Sequence, residues 1–215
     1  MIKVLSWLLA GYVCLGAGVA SAQSKVSEQG PHRMEVILEK RQAGAWRVID
    51  PGLVLVRGEQ VRFRFKANFD GYLYVTNRST SGNNSLLFPR EDTGIRNRIE
   101  AGKEYFVPST AGAFRVDGPA GHDIVSWMVS PVELGRPAVS MDPPKPVDMS
   151  RLKPRCDDTI FRARGQCVDT AAGPQQPDTE EGRNLVIIRE KTASVITSQV
   201  ALTGPIVYEF RLAHR

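Results

Sequence analysis

From Val61 to Asn68 the chain alternates strictly, with Val61, Phe63, Phe65 and Ala67 apolar and Arg62, Arg64, Lys66 and Asn68 polar. Successive side chains of a strand point to opposite faces, so this octet has one face for a core and one for water. A helix would scatter the same residues around its circumference. The period of two recurs from residue 34 onward, and no window of about twelve residues carries a helical apolar stripe. Short strands are expected near 34–40, 46–49, 72–76, 85–88, 104–107, 113–116 and 124–129. Turn signals divide them at Asp50-Pro51-Gly52, Ser81-Gly82-Asn83-Asn84 and Asp117-Gly118-Pro119-Ala120-Gly121. Asn68-Phe69-Asp70-Gly71, with residues that tolerate positive φ, reads as the turn of a hairpin joining 61–67 to 72–76. Many short strands at such spacing indicate an all-β antiparallel sandwich, immunoglobulin-like or similar, in preference to an open barrel.

The chain starts with Lys3, then an apolar run from residue 4 to about 19, broken by Gly11, Gly16 and Gly18, then Ala20-Ser21-Ala22. This is the pattern of a secretory signal peptide cut after Ala22, too short and interrupted for a stable anchor. The expected address is periplasmic or secreted. About 190 residues then remain, enough for one domain with an appendage. The formal charge of +5 becomes +4 when Lys3 is removed, with both signs interspersed, which argues against nucleic acid as a partner.

Of three cysteines, Cys14 leaves with the signal, and Cys156 and Cys167 remain. In an oxidising compartment this close pair reads as a disulfide. A redox-active pair or a zinc half-site are the alternatives, but the spacing is not Cys-x-x-Cys, and His32, His122 and His214 do not complete a recognised metal pattern. No metal and no cofactor is expected.

After Ser130 the period is lost, and Pro131, Pro137, Pro143, Pro144, Pro146 and Pro154 mark an extended surface connection. Residues 171–183 hold no large apolar side chain and are the best candidate for disorder. Leu185-Val186-Ile187-Ile188 reads as a buried strand, and Ile206, Tyr208, Phe210 and Leu212 alternate with Val207, Glu209, Arg211 and Ala213. Two strands are marginal alone. The expected plan is therefore a signal peptide at 1–22, a tail at 23–33, a sandwich body at 34–134, a Pro-rich, disulfide-containing irregular insertion at 135–183, and strands at 184–215 that pair with the body.

The stretch from about 54 to 134 resembles a family of bacterial extracytoplasmic domains catalogued as a domain of unknown function, number 4384. The resemblance is carried by Ala67-Asn68-Phe69-Asp70-Gly71-Tyr72-Leu73-Tyr74-Val75-Thr76-Asn77, Leu86-Leu87-Phe88-Pro89, Ile99-Glu100-Ala101-Gly102-Lys103 and Phe114-Arg115-Val116-Asp117-Gly118-Pro119-Ala120-Gly121. Where the family commonly has a carboxylate soon after the last turn, this chain has His122-Asp123. The resemblance implies a β-rich module of the cell envelope, sometimes attached to enzymatic or secretion-related partners. It supplies no catalytic residues.

Candidate chemistry is sparse. Ser150-Arg151-Leu152-Lys153 matches a Ser-x-x-Lys motif, but Pro146 and Pro154 flank it and exclude the helix that would bring Lys153 beneath Ser150. His122 is the one histidine placed for a triad, without a Gly-x-Ser-x-Gly elbow, and reads as an exposed turn residue. Asp157-Asp158 lacks calcium-loop spacing and reads as solvated charge. No catalytic residue is assigned and the chain is expected not to be an enzyme. The expected role is an exported interaction or accessory module docking another envelope protein, with no membrane insertion after cleavage. The alternative is a binding module for glycan or anionic polymer, using Tyr72, Tyr74, Arg62, Arg64, Lys66 and His122 as its surface. An envelope hydrolase comes third.

Overall fold

The computed structural model describes residues 31–135, 152–176, 184–190, 192–198 and 204–215. In chain order its elements are β1 (His32–Gln42), β2 (Ala45–Val48), β3 (Gln60–Ala67), β4 (Gly71–Arg78), β5 (Asn84–Phe88), β6 (Arg98–Ile99), β7 (Glu104–Val107), β8 (Phe114–Arg115), β9 (Gly121–Ser130), a short helix α1 (Asp158–Arg164), β10 (Gly173–Gln175), β11 (Leu185–Arg189), β12 (Ser194–Ser198) and β13 (Ile206–His214). They form two antiparallel sheets. Sheet one runs β11-β12-β1-β3-β7, with β2 beside β1 and β8 beside β3; sheet two runs β10-β13-β9-β4-β5, with β6 beside β4. This is an all-β sandwich.

The alternation read from sequence sets the core. Met34, Val36 and Leu38 of β1 and Val61, Phe63, Phe65 and Ala67 of β3 point inward from sheet one. Leu73 and Val75 of β4, Val125, Trp127 and Val129 of β9, and Ile206, Tyr208, Phe210 and Leu212 of β13 meet them from sheet two. Trp127 stacks on Phe65 at 5.7 Å and on Tyr208 at 6.1 Å, and meets Phe63 edge-on at 5.2 Å. This arrangement places an aromatic bridge between the sheets where their inner faces interdigitate.

Tyr208 is fully enclosed, its hydroxyl has no hydrogen-bond partner among the described residues, and burial pushes the phenol well above its ordinary value of 10.0. Tyr208→Phe removes a desolvated, unpaired hydroxyl without changing the ring and is expected to raise the free energy of unfolding by about 1 kcal/mol. Because the folded phenol holds its proton more tightly than the unfolded one, its contribution is complete below about pH 10 and is lost as pH rises further. Urea titrations near neutrality and above about pH 10 should therefore show a smaller alkaline decline in Tyr208→Phe than in wild type; an equal decline with no gain at neutral pH would contradict this.

Four sequence expectations are corrected. β3 and β4 are not a hairpin: β3 lies in sheet one and β4 in sheet two, so Asn68-Phe69-Asp70 carries the chain across the sandwich with Phe69 buried. Nor is Gly71 there for positive φ. A Cβ at this position would lie 2.8 Å from the Ser130 carbonyl oxygen, so glycine serves the close approach of β4 to β9. The second correction is β11, which is an edge strand rather than a buried one; Val186 and Ile188 are 45% and 53% exposed while Leu185 and Ile187 pack on the core. A four-residue apolar run reads as burial on both faces, but only the inner face of sheet one is covered here. Third, the part of 171–183 that is described is ordered. Gly173, Pro174 and Gln175 pair with Arg211, Phe210 and Glu209 of β13, and Ala172 packs with Val54 and Ala213. Small size, taken as inability to bury area, is what lets the segment lie against the sheet. Fourth, His32 and Arg33 of the expected tail belong to β1, with the His32 ring edge-on to Phe69 at 4.9 Å.

Toward the C-terminal end of the chain, β12 pairs with β1 and β13 pairs with β9 along its whole length, so each sheet joins a C-terminal strand to strands of the body. β6, β10 and β12 had no counterpart among the expected strands. Residues 1–22, the Pro-rich stretch 136–151, which includes Ser150, and 177–183 lie outside the described residues. Among the described residues, no helix is long and apolar enough to cross a membrane.

Candidate functional site

On β9 the odd residues Val125, Trp127 and Val129 face the core, so His122 faces outward from sheet two, in register with Ala213 of β13. It is nevertheless only 2% exposed, because residues 152–176 lie over it. The expected exposed turn histidine is thus a buried strand histidine. Its Nδ1 lies 3.2 Å from the Leu152 carbonyl oxygen and its Nε2 lies 3.1 Å from Asp169 Oδ2. A carbonyl only accepts, so the contact with Leu152 is a donation from Nδ1, and Nε2 faces the carboxylate.

Asp169 ties the covering segment together. Oδ2 also accepts from the Arg155 backbone N–H at 2.9 Å, Oδ1 accepts from that of Ala171 at 2.8 Å, and the Asp169 N–H donates to the Gly52 carbonyl at 2.8 Å. Val54 N–H donates to the Cys167 carbonyl, and Val54, Ala172 and Ala213 form a small second core against Cys167. From sheet one, the Arg189 guanidinium reaches across to the carbonyls of Thr170 and Ala172. Burial lowers the pKa of Arg189, opposed by the charges of Asp50 and Asp169. Its slot needs Gly52 and Gly173, where a Cβ would come within 2.7 and 2.6 Å of Arg189 Nη2. Gly173 also has φ +86°, a left-handed conformation that glycine alone adopts easily.

Within this anchored segment Cys156 and Cys167 are bonded, with 4.7 Å between Cα atoms. The loop they close holds α1. Asp157 is its N-cap, accepting from the Ile160 N–H at 2.9 Å, and Gly165 ends it in the left-handed region at φ 65°, donating to the Phe161 carbonyl. So Asp157 is a cap and not simply a solvated charge. None of the helix's seven residues is buried, and Phe161 is 52% exposed. A helix this short does not hold alone. Replacing both cysteines by serine is expected to lower the free energy of unfolding by about 3 kcal/mol through the released loop entropy, and to deprotect the α1 amides in hydrogen exchange before those of β9. Unchanged protection of α1 would assign its order to the caps alone.

The remaining sequence candidates lie elsewhere. Arg62, Arg64 and Lys66 are on the outer face of sheet one, whereas Tyr72 and Tyr74 are on the outer face of sheet two, so they form no common surface. Arg62 Nε bonds to Glu39 at 2.7 Å, with its guanidinium over the rings of Trp46 and Phe106 at 4.5 and 4.3 Å. Arg64 lies 3.5 Å from Glu39 and 3.3 Å from Glu104, and Lys66 is in register with Glu35 and Glu104. The stripe is largely charge-paired by carboxylates on neighbouring strands. Tyr72 is half-buried, and Tyr74 is buried with its hydroxyl donating to the Leu134 carbonyl and accepting from the Leu134 N–H, each at 2.8 Å. Lys153 follows Leu152 in non-helical chain, as the flanking prolines require.

A second pair has no sequence signal at all. His214, fully buried at the end of β13, has Nε2 3.4 Å from Asp123 Oδ1, which accepts from the Thr80 N–H. Among the described residues no group of three or more His, Cys, Asp or Glu side chains is placed to hold a metal ion.

The span from Val54, which bonds to Cys167, through β9 matches a family model, Domain of unknown function (DUF4384), over residues 54–133. Residues 54–133 are a DUF4384 domain. No curated protein and no solved structure matches the chain. In this protein the DUF4384 segment supplies β3 to β9 in both sheets, while β1, β2 and β10 to β13 come from outside it. Its His122 finds its carboxylate outside the DUF4384 segment too, at Asp169. The Asp117-Gly118-Pro119 turn of the DUF4384 motif is also exposed, with the Asp117 carboxyl held below its ordinary value by the Gly118 N–H and then by Arg57.

Proposed function

We propose that this chain is a non-catalytic interaction module exported to the bacterial cell envelope, where it docks another envelope protein. One observation carries the reading: the chain anchors a disulfide-closed, doubly capped helix on its sandwich, and that helix contributes nothing to the core. An element held rigid yet left in water is what a docking loop on a sandwich requires. His122, the residue most suited to general acid-base chemistry, is spent on holding that element in place. The export pattern at residues 1–22 and the disulfide support an oxidising compartment outside the cytoplasm.

The test is crosslinking of a tagged, periplasmically expressed copy in living cells of the native host, followed by mass spectrometry. A reproducible protein partner is the expected result. Capture of glycan or lipid alone would replace the proposal by a ligand-binding role. The intact mass of the exported form, before and after reduction, reports cleavage after Ala22.

A further inference from the structure

We infer that the Cys156–Cys167 loop docks by inserting the Phe161 ring into an apolar pocket with an acidic rim on a partner protein. This rests on the interaction-module reading and names the surface and the partner chemistry within it.

The residues that argue for it are few. Phe161 lies inside a helix whose two ends are capped and whose flanks are joined by the disulfide, so its ring is presented on fixed backbone. Leu152, 49% exposed, stands at the foot of the same segment. Lys153, Arg155, Arg162 and Arg164, in the same segment, are all exposed. Against these four cations stand two carboxylates, and one of these, Asp157, is engaged with a helix N–H. Aromatic and arginine side chains carry most of the energy at protein interfaces, and a pre-ordered backbone removes part of the ordering cost of binding. The complementary surface is therefore apolar at its centre and acidic around it. An anionic lipid surface shares the charge, but it gains little from a fixed helix. A short helix with one exposed ring also lacks the continuous apolar face that seats helices in bilayers.

The experiment uses the full chain in living cells of the native host, with a photoreactive phenylalanine analogue at position 161 and, in separate copies, at Ile95 and Val48. Ile95 lies between β5 and β6 on the far edge of sheet two, and Val48 lies on β2 in sheet one. The expected result is a discrete protein adduct from position 161 that is absent from the other two and drops at least about tenfold in Arg162→Glu/Arg164→Glu. The captured protein, once purified, should bind the wild-type chain with an affinity that falls about tenfold or more between low and high salt, as steered charge pairing requires. Phe161→Ala should weaken that binding and leave its salt dependence in place. Both variants change side chains that the fold does not bury, and circular dichroism with an intact disulfide verifies the fold. A lipid adduct at 161, or a protein adduct indifferent to charge reversal, would overturn the proposal. Adducts arising only from 95 or 48 would overturn this surface and leave the interaction-module reading standing, whereas no protein adduct from any position would remove both.

Discussion

Replacing Asp169 by alanine is expected to lower the free energy of unfolding by about 3–5 kcal/mol, because it deletes several hydrogen bonds to one buried carboxyl group, each worth about 1.5–3 kcal/mol. The carboxylate serves His122 and two backbone N–H groups at once, and it is almost wholly enclosed. Its removal strands the imidazole beneath residues 152–176 and frees the ends of the segment it ties together. Urea denaturation gives the size of the loss, and hydrogen exchange gives its place: protection should fall first in α1 and β10 and only later in β3 and β9. Combining Asp169→Ala with His122→Leu should recover part of the loss, because an apolar side chain no longer needs the missing acceptor. A loss below about 1 kcal/mol would show that the cover stands without its polar anchor.

A loss of similar size, about 3–5 kcal/mol, is expected for Trp127→Ala, where the cost is a cavity between the sheets. Trp127 is fully buried, touches the rings of Phe63, Phe65 and Tyr208, and its indole N–H has no hydrogen-bond partner among the described residues. Its contribution is therefore packing alone. Trp127→Phe, which keeps an aromatic ring and discards the unpaired N–H, should lose markedly less. Equal losses for the two variants in denaturant titrations would mean that the indole does more than fill space. The two sites should also differ in kind, since the core variant weakens both sheets together and the Asp169 variant loosens one appendage.

Much of the sandwich could be read before any tertiary contact was seen. The alternation of Val61 to Ala67 and of Ile206 to Leu212 set inward and outward faces that the core reproduces residue for residue. Cys156 and Cys167 were readable as a pair because the short loop between them leaves little alternative in an oxidising compartment. The candidate site was less legible. Arg62 and Arg64 read as a free basic stripe because Glu39 and Glu104, which pair with them, arrive from strands distant in sequence. Tyr72 and Tyr74 were open to two readings, a covered face or a binding surface, because alternation says which side chains share a face, and not whether that face is covered.

What the sequence determined by itself is local: strand period, turn chemistry, the fold class those imply, and the cysteine pair. Tertiary structure alone decided that β3 and β4 enter different sheets, that β11 is an edge, and that His122 is buried. The physical reason is range. A side-chain period of two follows from backbone geometry within a few residues, whereas the environment of His122 depends on Asp169, 47 residues away, and on the loop it anchors over the outer face of sheet two.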